Sequence, residues 1–240
     1  MSCYAYRESP DVEEDFAKHS LDVVETMKRL DEYEAFLKVL EKRYGVSRPE
    51  AEPLLRLAAA MHDLGKIDEE YQSACADGCT SFPGHYDASA KVLVLAYMRA
   101  TNSDSLALLD LSREGPENYD ALFAALVVIP VELHHYAQIE QLKTRIKFKP
   151  AAQCVNAVLY ILKELELDGI LGKAAKELER VVNSGIDRPR EIDLPHLDFL
   201  KEIKIPNATR PDLAFIAEAA TGLINMADGR TAKWNRQRCQ

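Results

Sequence analysis

With 240 residues, 47% of them apolar and 29% charged, the chain has the mass for one substantial core and the composition of an ordinary globular domain. A formal charge of -9 excludes a surface coated in positive potential for nonspecific nucleic-acid binding, though it leaves room for a local basic groove. The N-terminal MSCYAYRESPDVEED is acidic where a secretory signal needs a basic start and an apolar stretch, and no segment is long enough to span a bilayer, so a cytoplasmic protein with no membrane role is expected.

Apolar residues recur at helical spacing through most of the chain and period-two alternation is rare, which predicts a single all-α domain over residues 1–240. Helices are predicted over 13–44, 50–63, 86–101, 118–137, 152–164, 168–183 and 211–234. Gly45 should close the first, and Pro53 should sit near the start of the second, where its missing donor costs nothing. Residues 183–210, rich in proline, read as a long irregular connection before the last helix. Five cysteines, at 3, 75, 79, 154 and 239, do not read as a secreted disulfide framework. Cys75 and Cys79, in CADGC, lack the second pair a zinc site needs and are expected to be free thiols or an incidental disulfide.

Chemistry concentrates in LRLAAAMHDLGKIDEEY, residues 55–71, where an apolar helix ends in His62 and Asp63 with Lys66 three residues on. A carboxylate at the end of such a run is costly to bury without a cation or donors, and imidazole with carboxylate suits a divalent transition metal. Lys66 falls on the side of Asp63, where it can meet a phosphate oxygen or simply the helix dipole. His19 in AKHSLDVV, His85 in FPGHYDASA, the doublet His134–His135 in VVIPVELHHYA and Asp228 in GLINMADGRTAKW each have an ordinary reading as core, cap or surface residues. His196, in the long connection, reads as a surface residue.

Taken in order, His19, His62–Asp63 and Asp228 match the H…HD…D pattern, and the chain resembles the HD superfamily of metal-dependent phosphohydrolases over most of its length. His85 with Ser89 in GHYDASA, and the doublet His134–His135, narrow the resemblance to the HD nuclease of type I CRISPR interference. That family often has a glutamate directly after the histidine of this motif, whereas here Tyr86 stands, followed by Asp87. With no GxxxxGK[ST] phosphate loop and no room for a helicase in 240 residues, the likeness is to the stand-alone nuclease subunit.

The resemblance implies an HD-domain helical bundle holding two divalent ions. His19, His62, Asp63 and Asp228 would surround one, and His85, His134 and His135 the other, with Asp63 bridging. Catalysis would fall to Asp63 and Lys66, with a hydroxide between the ions attacking a phosphodiester in single-stranded DNA. A separate helicase subunit and a guide-RNA effector complex would be the partners. Five histidines against two carboxylates favour manganese, nickel, cobalt, iron or zinc, with magnesium possible but poorer. Ser89, Arg230 and the alternating QLKTRIKFKP, which places Lys143, Arg145, Lys147 and Lys149 on one face of an extended segment, are candidate substrate contacts; the same stretch reads equally as a charged edge. Arg230, Lys233, Arg236 and Arg238 form a second basic cluster. An HD phosphohydrolase of nucleotides or cyclic nucleotides, and a helical interaction module, are the competing readings.

Overall fold

The computed structural model describes residues 2–104, 106, 109, 111, 113–135, 148–186 and 212–237. The all-α expectation holds: helices carry the fold, and among the described residues the sheet is a single antiparallel hairpin of β1 (Tyr4–Ser9) and β2 (Val12–Asp15). Pro10 and Asp11 make its turn, proline through its fixed φ and aspartate through its short side chain. The hairpin is not among the predicted elements, and its second strand takes residues 13–15 from the start of the helix predicted over 13–44, because strands of six and four residues, with register shifts, never alternate long enough to read as period two.

The helix predicted over 13–44 is in fact two, α1 (Phe16–Lys28) and α2 (Asp31–Tyr44), separated at Leu30, which is extended with ψ 134. Val24, Met27, Leu30, Tyr33 and Leu37 are buried at a spacing of three or four straight through the break, so periodicity carries no sign of it. Asp31, Glu32 and Glu34 start α2 against the positive end of its dipole, and Gly45 closes it at φ 70. Ser47 and Glu50 form a capping box on α3 (Arg48–Met61). Because α3 begins before residue 50, Pro53 lies inside it and removes one backbone bond, a correction to the costless first-turn position.

After α3 the chain tightens into a 3-10 turn (Leu64–Ile67), then α4 (Glu69–Ala74) and α5 (His85–Thr101). Lys66 therefore sits on a 3-10 turn and not on a continuing α-helix. Gly65 is required there: a Cβ at this position would lie 2.1 Å from the backbone oxygen of His85. Its N–H donates to Ser89 Oγ at 2.7 Å, and Ser89 Oγ donates to His85 O at 2.9 Å, so the turn and the start of α5 are clamped together.

The helix predicted over 118–137 is a rod of α6 (Tyr119–Phe123), a π segment (Ala124–Val128) and α7 (Ile129–Leu133). Ile129 N–H reaches back five residues to Ala124 O, immediately before Pro130, which has no N–H to offer. The proline is thus absorbed by widening one turn, and the rod continues to His134 and His135.

α8 (Ala152–Leu165), α9 (Gly169–Ser184) and α10 (Asp212–Gln237) follow close to their predicted bounds. On α10, Leu213, Ile216, Leu223 and Ile224 are buried at roughly 1.5–3 kcal/mol each, which fixes Asp228 at the edge of that stripe. Residues 187–211, most of the predicted long connection, lie outside the described residues. No described helix is long and apolar enough to cross a membrane.

The Cys75 and Cys79 pair takes the second of its two expected states, a disulfide, whereas the bond made by Cys3 is unexpected. Cys3 is bonded to Cys154, stapling the hairpin to α8, and Cys75 to Cys79. The first pair is separated by 151 positions and meets only through the fold, which is why spacing gives no hint of it. Cys239 lies outside the described residues.

Candidate metal centre

Four histidines are aimed by the same device. The Nδ1 of His62 lies 2.8 Å from Ala59 O, that of His134 2.6 Å from Val131 O, and that of His85 in hydrogen-bond contact with Phe82 O. His19 Nδ1 lies 2.8 Å from Glu14 Oε1. Carbonyl and carboxylate oxygens only accept, so each Nδ1 carries the proton and each Nε2 faces inward with a lone pair or a second proton. Outer hydrogen bonds of this kind are how proteins hold metal-ligating histidines.

What the Nε2 atoms face is Asp63, 1% exposed at the end of α3. Its Oδ1 lies 3.0 Å from His85 Nε2 and 3.5 Å from His134 Nε2. Its Oδ2 lies 3.4 Å from His62 Nε2 and 3.5 Å from His19 Nε2. Asp228 Oδ1 completes the second side, 3.2 Å from His19 Nε2 and 3.7 Å from His62 Nε2. The ligand atoms fall into two groups, Asp63 with His85, His134 and His135, and His19 with His62 and Asp228, each within 4.8 Å.

The donor set fits divalent ions. His19 Nε2, His62 Nε2 and both Asp63 oxygens are buried without a hydrogen-bond partner among the described residues, Lys66 Nζ approaching Oδ2 at 2.6 Å as an ion pair. His85 Nε2 and His134 Nε2 face each other at 3.2 Å. Two acceptors at that separation repel unless a cation lies against both.

Charge differs between the groups. Burial pushes His85 down to about 4 and lowers His134. Burial, helped by His134 and His85, pushes His135 down to about 3. These three are neutral near pH 7, the state a ligand requires. For His62 burial opposes the charge, but Asp63 and Asp228 together outweigh it and lift the ring to about 9. His19 rises for the same reason, burial being overcome by Asp228 and Asp63. Burial also resists ionisation of Asp63 and Asp228, yet His62 and Lys66 hold the first, and His19 and His62 the second, well below the usual carboxylate range. In the metal-free protein, protons on His19 and His62 balance the carboxylates and must leave before an ion enters.

A cleft of about 140 Å³ opens onto these groups, with Tyr6, Lys66, Phe82, His135, Asp228 and Arg236 among its walls. Lys66 Nζ also lies over the Phe82 ring, 5.1 Å from its centroid. The seven candidate ligands are thus brought together with Lys66, whereas the candidate substrate contacts among the described residues, Ser89, Lys149 and Arg230, scatter. Ser89 is fully buried and spent on the clamp between Gly65 and His85, which corrects its expected place against substrate. Lys149 Nζ pairs with Glu69 Oε2 at 2.6 Å, and Arg230 lines a separate groove between α1 and α10. Lys143, Arg145, Lys147, His196 and Arg238 lie outside the described residues.

Glu14 is the functional neighbour that sequence reading missed. It is 5% exposed, accepts from His19, and accepts again from Asn235 Nδ2 at 2.9 Å. Burial disfavours its charge, but His19 and Asn235 keep it ionised. Its only signal is an acid five residues before the first histidine. Tyr86 and Asp87 also find their places: the Tyr86 ring packs beside His85 at 5.6 Å, and Asp87 turns away to pair with Lys91 at 2.9 Å.

No curated protein matches the chain. The family described as "Cas3, HD domain" does, over residues 7–228, a span that opens within the hairpin bearing Glu14 and closes on Asp228. The chain therefore belongs to the Cas3 HD-domain family, the metal-dependent HD nucleases of type I CRISPR systems.

Proposed function

We propose that the chain hydrolyses phosphodiester bonds in single-stranded DNA at a pair of divalent ions, working in the cytoplasm beside a separate helicase subunit and a guide-RNA effector complex. The observation that carries this reading is that the two oxygens of Asp63 face two different groups of buried, outward-tethered histidines.

His19, His62 and Asp228 would hold one ion and His85, His134 and His135 the other, with Asp63 shared. When bound, such ions supply an activated water and positive charge at the phosphate. Transition metals suit this imidazole-rich set better than magnesium. The chain's own residues do the rest. The tethers from Ala59, Phe82, Val131 and Glu14 hold the rings fixed, so little reorganisation accompanies reaction. Lys66, one turn after Asp63 and lining the cleft, would leave the carboxylate as the ions bind and meet a phosphate oxygen. Arg236, whose guanidinium lies 3.9 Å over the Tyr6 ring, gives the mouth of the cleft a second cation.

The test is cleavage of labelled single-stranded DNA by metal-stripped protein resupplied with manganese, nickel or magnesium, beside a panel of nucleotides and cyclic nucleotides. DNA cleavage that Asp63→Ala abolishes, with helicity retained, is the expected result. Turnover of a nucleotide without DNA cleavage would move the chain to a nucleotide phosphohydrolase, and full activity of Asp63→Ala would remove the bridging role.

A further inference from the structure

Beside the cleft, α1 and α10 enclose a groove of about 520 Å³ that plays no part in holding ions. Lys18 and Arg29 line it from the α1 side, Arg230 and Trp234 from α10. Trp234 is the only tryptophan in the chain and is 59% exposed. The acids of the groove already have partners: Asp22 pairs with Lys18, and Glu25 with Lys28 at 2.9 Å. No described carboxylate lies within ion-pair reach of Arg29 or Arg230. Leu30, the aliphatic side chain of the lining, is itself 3% exposed. The large ring therefore stands beside cations, hydroxyls and carboxylates that are already paired, with a buried leucine as the aliphatic neighbour in the lining.

An exposed aromatic face beside cations is the chemistry that binds single-stranded nucleic acid, bases stacking on the ring while the cations meet phosphates. Position agrees. Trp234 lies six residues beyond Asp228 on the same helix, roughly 9 Å along its axis. The wall between groove and cleft is a chain of hydrogen bonds: Lys18 Nζ donates to Asn235 Oδ1 at 3.2 Å, and Asn235 Nδ2 donates to Glu14, which holds His19.

We propose that this groove binds the stretch of single-stranded DNA next to the scissile phosphate, one base stacking on Trp234 and the flanking phosphates held by Arg29 and Arg230. The inference rests on the nuclease reading above, and its test separates the two. Metal-stripped protein, which cannot cut, is titrated with an oligothymidylate while the emission of its single tryptophan is followed. Saturable quenching that weakens with salt, and that a duplex of the same length does not produce, is expected. Trp234→Ala should weaken binding of the oligonucleotide roughly tenfold or more, measured by anisotropy of a labelled strand. Arg230→Glu should weaken it comparably, which guards against a folding defect in the tryptophan variant.

Absence of quenching, with the affinities of both variants equal to that of the parent, would overturn the proposal; if the metal-loaded protein still cuts DNA in that case, the nuclease reading stands without this groove. Quenching and loss of affinity in the variants, from a protein that cuts no DNA with any metal, would support the groove and overturn the nuclease reading.

Discussion

Replacing Glu14 separates a positioned histidine from one that is merely nearby. Glu14→Ala removes the acceptor 2.8 Å from His19 Nδ1 and leaves a buried N–H without a partner, at a cost of roughly 1–3 kcal/mol. The ring can then turn or move its proton to Nε2, the atom that faces Asp63 and Asp228. Loss of such an outer partner typically lowers metal affinity about 10–100-fold. Glu14→Gln is the informative control, because its amide oxygen still accepts from Nδ1–H while its charge is gone. Calorimetric titration of metal-stripped protein with manganese should show one weakened site in Glu14→Ala and near-parental affinity in Glu14→Gln. Two sites of parental affinity in Glu14→Ala would refute the reasoning, as would equal loss in the two variants, which would make charge and not orientation the cause.

The remaining predictions concern the shell behind the histidines. Burial, with Asp87 adding to it, lifts the Glu132 carboxyl from 4.5 to about 8. A raised folded-state value means that stability is present in full below pH 4.5 and is lost as pH rises through 8, by roughly 2–5 kcal/mol at most. Glu132→Gln, which copies the neutral acid, should match the parent in denaturant melts at pH 4.5 and exceed it at pH 8; parallel curves would contradict the assignment. Gly65→Ala must push aside the His85 backbone, since its Cβ would start 2.1 Å from His85 O. It should lower stability by about 1–3 kcal/mol and weaken one metal site, and a neutral outcome in thermal melts would show that the clamp can move freely.

Much of this centre is legible in the amino-acid sequence, for a physical reason. Metal ligands are chemically unusual residues at the ends of buried helices, so His62–Asp63 after AAAM, and Asp228 after a buried stripe, stand out against their apolar surroundings. What supports them does not stand out. Glu14 is one acid among many, on a hairpin too short to show alternation, and its meaning comes from a contact with His19 that only the fold creates. Ser89 misleads because a hydroxyl near a histidine suits a substrate contact and a backbone clamp equally well, and only burial tells them apart. The break at Leu30 is invisible because the apolar spacing runs through it, and the pairing of Cys3 with Cys154 because nothing local links them.

The most direct test of the two-ion account is stoichiometric. Manganese is added to metal-stripped protein in fractions of an equivalent, and the initial rate of single-stranded DNA cleavage is plotted against bound metal. If Asp63 joins two occupied groups, the rate stays near zero through the first equivalent and rises to its plateau at the second. A rate that is complete at one bound ion per chain would contradict it.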